Sequence, residues 1–404
     1  MQLVAYGAQD IYLTGNPQIT FFKIVYRRHT NFSMESIRQT FNGNITGGAR
    51  VSSTIARNGD LIGRMYIETV DGKCIGQNTG NVSAVWIEEA EIEIGGQRID
   101  KHYGSWMNTW GDLSELNPTD SYQFDGGSPS SKGTLFQKMS GMSGYLPPID
   151  SGQIQSETLF IPLMFWFCRN PGLALPLIAL QYHEVKLIVK FGDISIWDAN
   201  GIPKTNLWVD YIFLDTDERR RFAQVSHEYL IEQVQADLNK KVEKNMDLNF
   251  NHPIKEIVWT VPFLRKPIEF SGTNISGFYL EFISFQINNS TIHEDSEWNL
   301  KLNGHERFKP RNRNYFTRTQ IWQHHTGNAS AINNLSSATD AIAVYSFALK
   351  PEEHQPSGTC NFSRIDNAQL CQTGETDLTN IDIYAVNYNV LRIMSGMGGL
   401  AYSN

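Results

Sequence analysis

VWIEEAEIEIGG (85–96) alternates apolar and charged residues and then turns on Gly95-Gly96. Ile92 and Ile94 fall on one side, Glu91 and Glu93 on the other. Residues two apart share a face in an extended chain, so this is a strand with one buried and one solvated side. LKLNGHERF (300–308) repeats the pattern: alternation, an Asn303-Gly304 turn, then Arg307 where the first copy has Arg98. Gly-Gly and Asn-Gly between alternating runs are hairpin signals.

Similar segments lie on both sides of each copy. RVSSTIAR (50–57), LIGRMYIETV (61–70), TLFIPLMFWFC (158–168), HEVKLIVKF (183–191) and LWVDYIFLD (207–215) read as strands of the first half. HEYLIEQVQ (227–235), IKEIVWTV (254–261), GFYLEFISFQI (277–287), WNLKLNG (298–304), AIAVYSFALK (341–350), AQLCQT (368–373) and YNVLRIM (388–394) read as strands of the second. QITFFKIVYRR (18–28) reads as a strand or short helix, and 101–157 as a long turn-rich excursion. Few segments support a helix of three turns, and short strands with frequent turns indicate sandwiches or jelly rolls. The exception is DTDERRRFAQVS (215–226), where Asp215 can cap and Glu218 takes the third helical position. The expected layout is an arm (1–25), a first β domain (26–214), a connecting helix (215–226) and a second β domain (227–404), with the second a copy of the first.

The 404 residues suit two domains of ordinary size. With 41% hydrophobic and 19% charged residues the chain is globular. Its net charge of −8 gives no general attraction to nucleic acid or an anionic membrane. Cys74, Cys168, Cys360 and Cys371 show no metal-ligand spacing and read as free thiols. No basic-then-apolar leader opens the sequence, and no apolar run is long enough for a transmembrane helix.

A search for chemistry finds decoys. Gly396-x-Gly398-x-x-Ala401 follows a strand but lacks the helix and distal acid of a dinucleotide site. No phosphate loop, nucleophile elbow or HExxH stands in the chain. His324-His325 has no carboxylate or cysteine nearby in sequence and reads as a polar loop. Glu88, Glu89, Glu91 and Glu93 look like a carboxylate cluster, but Glu91 and Glu93 share one face of an alternating strand and read as its solvated side. HERFKPRNRNYFTR (305–318) mixes Arg307, Lys309, Arg311, Arg313 and Arg318 with Phe308, Tyr315 and Phe316, the composition of a nucleic-acid patch or a subunit contact. No catalytic residue, cofactor or metal ligand is assigned, and the chain is not expected to be an enzyme. Sequons stand at Asn274, Asn288 and Asn328, among others, as candidate glycan acceptors.

Longer blocks carry a resemblance. LVAYGAQDIYLTGNPQITFFKIVYRRHTNF (3–32), IGGQRIDKHY (94–103), NPGLALPLIALQYHEVKL (170–187), WVDYIFLDTDERRRFAQVSHEYLIEQVQ (208–235), SFALKPEEHQPSGTCNFSRIDNAQL (346–370) and YNVLRIMSGMGGLAY (388–402) resemble the major capsid proteins of nucleocytoplasmic large DNA viruses, most nearly the chlorovirus type. Residues 104–157 and 236–345 match poorly. The resemblance implies an all-β chain of two consecutive eight-stranded antiparallel jelly rolls. It implies a homotrimer of pseudo-hexagonal outline that tiles an icosahedral shell, in contact with neighbouring capsomers, minor capsid proteins and a penton protein. The inner face would lie near an internal viral membrane, with no specific nucleic acid bound. The resemblance implies a virion component made and assembled in the host cytoplasm, and some relatives carry glycans outside the standard sequon. A carbohydrate-binding jelly roll is the alternative, and a nucleic-acid binder using 305–318 is a third reading.

Overall fold

The computed structural model describes residues 14–73, 81–115, 134–143, 157–192, 197, 202–262, 292–327, 340–376 and 378–402, with the backbone of strand pairs 124–125/128–129 and 149–150/153–154. The expected strand 277–287, Cys74, and Asn274, Asn288 and Asn328 lie outside the described residues.

Eight strands of the first half build its two main sheets: β1 (Phe32–Gln39), β2 (Arg50–Thr54), β3 (Leu61–Gly72), β4 (Ile87–Ile94), β5 (Gln97–Tyr103), β6 (Glu157–Pro162), β7 (Val185–Phe191) and β8 (Lys204–Leu214). They make two antiparallel sheets, ordered β1-β8-β3-β6 and β2-β7-β4-β5. The second half supplies β9 (His227–Lys241), β10 (Asn245–Asp247), β11 (Pro253–Thr260), β12 (Glu297–Leu302), β13 (His305–Glu306), β14 (Ile342–Ser346), β15 (Ala368–Thr373) and β16 (Asn380–Met394). Their sheets run β9-β16-β11-β14 and β10-β15-β12-β13. Adding eight to each label of the first half gives the second. Each half is a jelly roll, and the chain is a double jelly roll.

Alternation explains the packing. β7 reads buried, half-buried, buried along its whole length, so Val185, Leu187, Val189 and Phe191 enter the first core. Trp86 is its centre, 4.8 Å from the Phe191 ring and 5.7 Å from Trp197. In the second core Trp259 lies 5.6 Å from Trp298 and 5.2 Å from Phe316. Burying large aromatics contributes on the order of 2–3 kcal/mol each.

The connections differ from the sequence reading in three places. Residues 18–28 form neither strand nor helix; they are irregular and exposed. The 158–168 strand stops at Pro162; Leu163 N still donates to Met65 O at 2.9 Å, and Trp166–Arg169 then forms a helical turn. Among the described residues of 101–157 are two helices, α1 (Gly104–Ser114) and α2 (Leu135–Ser140), where loop was expected. A third, α3 (Thr216–Gln224), connects the rolls, and Asp215 caps it by accepting from Asp217 N at 3.3 Å.

Trp86→Ala is expected to destabilise the chain by about 3–5 kcal/mol, read as a fall in the urea midpoint. A loss under about 1 kcal/mol would refute its central place in the core.

Candidate functional site

The chemistry-bearing side chains gather at the seam where the two rolls meet. α1 lies across it. Its Trp106, Trp110 and Leu113, at i, i+4 and i+7, form one buried stripe. That stripe packs on the outer face of the second roll, against Val258, Val344, Tyr384 and Val386. Trp106 stands 5.1 Å from the Tyr384 ring, and Tyr384 hydroxyl and Ser105 hydroxyl are 2.7 Å apart.

Beside this apolar contact runs a line of buried charge. Glu232 on β9 takes Arg169 from the first roll and Lys255 from β11, the latter at 2.7 Å. His354 Nδ1 lies 3.7 Å from the same carboxylate. Lys255 has no exposed side-chain surface and Glu232 has 3%. Burial works against the Glu232 charge, but Arg169, His354 and Lys255 outweigh it and hold the carboxyl at about 2. For Lys255 burial wins, and its pKa is lowered. Arg169 also covers the Trp110 ring at 5.0 Å, tying the charge line to the aromatic stripe.

Next to it, His325 is clasped by two carboxylates. Nε2 is 2.9 Å from Glu256 Oε2 and Nδ1 is 2.9 Å from Glu352 Oε1. Burial alone would neutralise the ring, yet Glu256 and Glu352 prevail and raise it to about 9. The imidazolium therefore donates to both. This corrects the polar-loop reading of His324-His325, because the carboxylates come from 69 and 27 positions away. Backbone contacts complete the seam. Gln233 reaches Ile99 O, Val234 N donates to Asp100 Oδ1 at 3.1 Å, and Gly327 N donates to Leu113 O at 2.7 Å.

The glycine motif near 396 is a further fastener. Ser395 and Gly396 both take positive φ, 51° and 81°, and turn β16 into β17 (Met397–Leu400). The first roll grips this hairpin: Tyr182 N donates to Gly396 O at 2.9 Å and Leu400 N to Gln97 Oε1 at 3.2 Å. A Cβ on Gly398 would come within 2.6 Å of the Leu180 Cδ2 methyl, which would have to shift to admit it.

The remaining sequence candidates resolve into structure. Glu91 is 4% exposed, not solvated. It sits in an inner strand under Arg50 at 2.6 Å and Lys101 at 3.4 Å, long side chains that roof it over. In the basic stretch, Arg313 and Arg318 reach Asp340 at 3.5 and 2.6 Å. Phe316 is buried in the second core, and Phe308 and Tyr315 pack against it half-buried, so the aromatics of the stretch serve the core. Cys168 and Cys371 are buried free thiols and Cys360 is half-buried. His293, Asp295 and Glu375 bring ligand atoms within 4.8 Å of one another on a partly exposed loop. Asp295 N already donates to His293 Nδ1 at 3.2 Å.

Glu232→Gln leaves the fully buried Lys255 and the partly buried Arg169 without the carboxylate they share, and should destabilise by about 3–5 kcal/mol in urea unfolding. Lys255→Met added to that variant should restore part of the loss; no restoration would disprove the charge-pairing account. Stability should also follow pH on two sides. Glu232 titrates below its ordinary 4.5, so its contribution holds above 4.5 and fades as pH falls toward 2. His325 titrates above its ordinary 6.5, so its contribution is complete below 6.5 and is lost as pH rises through about 9. His325→Asn should flatten the alkaline limb of the unfolding free energy against pH; an unchanged limb would exclude His325 as its source.

The described residues of the seam fasten one roll to the other. Comparison with known proteins agrees with that character. Residues 20–215 match the family model described as "Major capsid protein N-terminus", and 218–399 match "Large eukaryotic DNA virus major capsid protein". The major capsid protein of Pyramimonas orientalis virus is 50% identical, covering 100% of this chain and 99% of its own. That of Paramecium bursaria Chlorella virus 1 is 42% identical at the same coverage. A solved chain from the quasi-atomic PBCV-1 virus capsid is 37% identical with a TM-score of 0.76, covering 95% of this chain and 100% of its own. With both halves matched and the whole length aligned, this chain belongs to the major capsid proteins of large eukaryotic DNA viruses, a structural component of the virion and not an enzyme.

Proposed function

We propose that the chain forms a homotrimer of pseudo-hexagonal outline, and that these trimers tile an icosahedral shell. The observation that carries this is the strand order repeated within one chain, with the two rolls locked side by side by a buried seam. Three copies supply six similar rolls about one axis, and a near-hexagonal unit packs against neighbouring capsomers on every side. The similarity to a chain of the PBCV-1 capsid supports the same use.

In this reading residues 26–214 and 227–404 are the two rolls, 215–226 the link and 1–25 an arm. The segment after Thr14 exposes Ile19, Phe21, Phe22, Ile24, Val25 and Tyr26, with Phe22 97% exposed. An apolar run this bare marks a contact surface. We assign it to the inner side of the shell, facing minor capsid proteins and an internal membrane, with a penton protein at the vertices. Synthesis and assembly take place in the host cytoplasm. Asn274, Asn288 and Asn328 stand as candidate glycan acceptors.

Sedimentation velocity and native mass spectrometry on the full chain should give three times the chain mass, and electron microscopy a six-sided particle. A monomer at every concentration and salt would overturn the trimer.

A further inference from the structure

Each roll carries a helix after its fifth strand, in the second roll past a short strand, Arg311–Asn312, that pairs with β12. In the first roll the helix is α1. In the second it is a π-turn over Tyr315–Thr319 that continues as α4 (Gln320–His324). Met107 and Phe316 anchor the two helices in the cores of their own rolls. Three positions on stand Trp110 and Thr319, and six positions on stand Leu113 and Trp322. Trp110 and Leu113 are buried against the other roll. Their counterparts are bare: Thr319 is exposed, and Trp322 is 81% exposed.

The receiving faces correspond too. α1 sits over the row Ala236–Tyr384–Val258–Val344, which crosses β9, β16, β11 and β14. The same row of the first roll reads Arg38–Trp208–Tyr66–Pro162 across β1, β8, β3 and β6. There Trp208 and Tyr66 stack at 6.4 Å, and Phe160 meets Tyr66 edge-on at 6.0 Å. Phe160 is 36% exposed, and Met34, on the Arg38 side of β1, is 55% exposed. One helix-on-sheet junction is thus filled within the chain. The matching helix and the matching sheet face are both left uncovered among the described residues. Tryptophan and stacked aromatics on an open face are the composition of an interface centre.

We propose that the helix carrying Trp322 docks on the Trp208–Tyr66–Phe160 face of a second copy of this chain. The contact repeats between chains the junction that α1 makes within one. The occupant follows from the duplication, since the element that fits such a face is the roll's own helix. The contact is head-to-tail. Each copy gives its helix to one neighbour and receives one from another, so the array stays open until it closes as a ring. This rests on the homotrimer reading and adds which surfaces touch.

Sedimentation velocity of the full-length protein tests it with Trp322→Asp on the helix and Phe160→Asp on the sheet. Each is expected to raise the concentration at which the trimer dissociates by roughly thirtyfold or more. Thermal melting of the dilute monomer should be unchanged; if Phe160→Asp melts lower, Met34→Asp takes its place. Dissociation in both variants supports the contact. If either variant assembles like the parent, the contact is overturned and the homotrimer stands. If the parent itself never leaves the monomer, the homotrimer reading falls and the contact with it.

Discussion

Glu232 is the group on which the arrangement of the rolls depends. A carboxylate this deeply buried is tolerable only with its cations in place. One cation, Lys255, comes from the same roll, and the other, Arg169, comes from the first. The second roll therefore carries a charge that its neighbour must help to neutralise. An apolar seam would hold the rolls together at many angles, whereas a guanidinium aimed at one carboxylate allows few. The Trp106–Trp110–Leu113 stripe supplies area, and the charge line supplies register. For a shell unit whose sides must meet identical copies, a fixed angle between rolls matters more than the strength of the joint.

Much of the fold was legible. Strands with one face in a core announce themselves by alternation, and Val185–Phe191, Ile87–Ile94 and Glu297–Leu302 all did. The duplicated hairpins at Gly95-Gly96 and Asn303-Gly304 pointed to one fold used twice. α1 was missed because Gly104, Ser105, Asn108 and Gly111 read as loop residues, while its signal, apolar residues at i, i+4 and i+7, was overlooked.

The seam was not legible, because its chemistry is assembled across sequence. Glu232 and Arg169 are 63 positions apart, and Glu256 and His325 are 69 apart. Within its own segment each reads as an ordinary strand or loop residue. Glu91 shows the same limit. Alternation assigns it to the outer face correctly, but it cannot say that Arg50 and Lys101 will cover that face. The glycine motif reads in sequence only as a strand followed by Gly396-x-Gly398. That it fastens β17 to the first roll follows only from contacts with Tyr182 and Gln97.

The order in which these pieces leave the ribosome has a consequence of its own. The first roll is complete in sequence at Leu214, before any strand of the second exists. β9 must then wait for β16, its ladder partner, which pairs Glu232 with Tyr388. Pairing across so many residues is slow. The β17 clasp forms later still. During that interval the first roll stands folded beside an unfinished one. A chain that stops short of residue 380 keeps Arg169 and α1 but never builds the face they fit. Fragments of that kind cannot form the joint between the rolls.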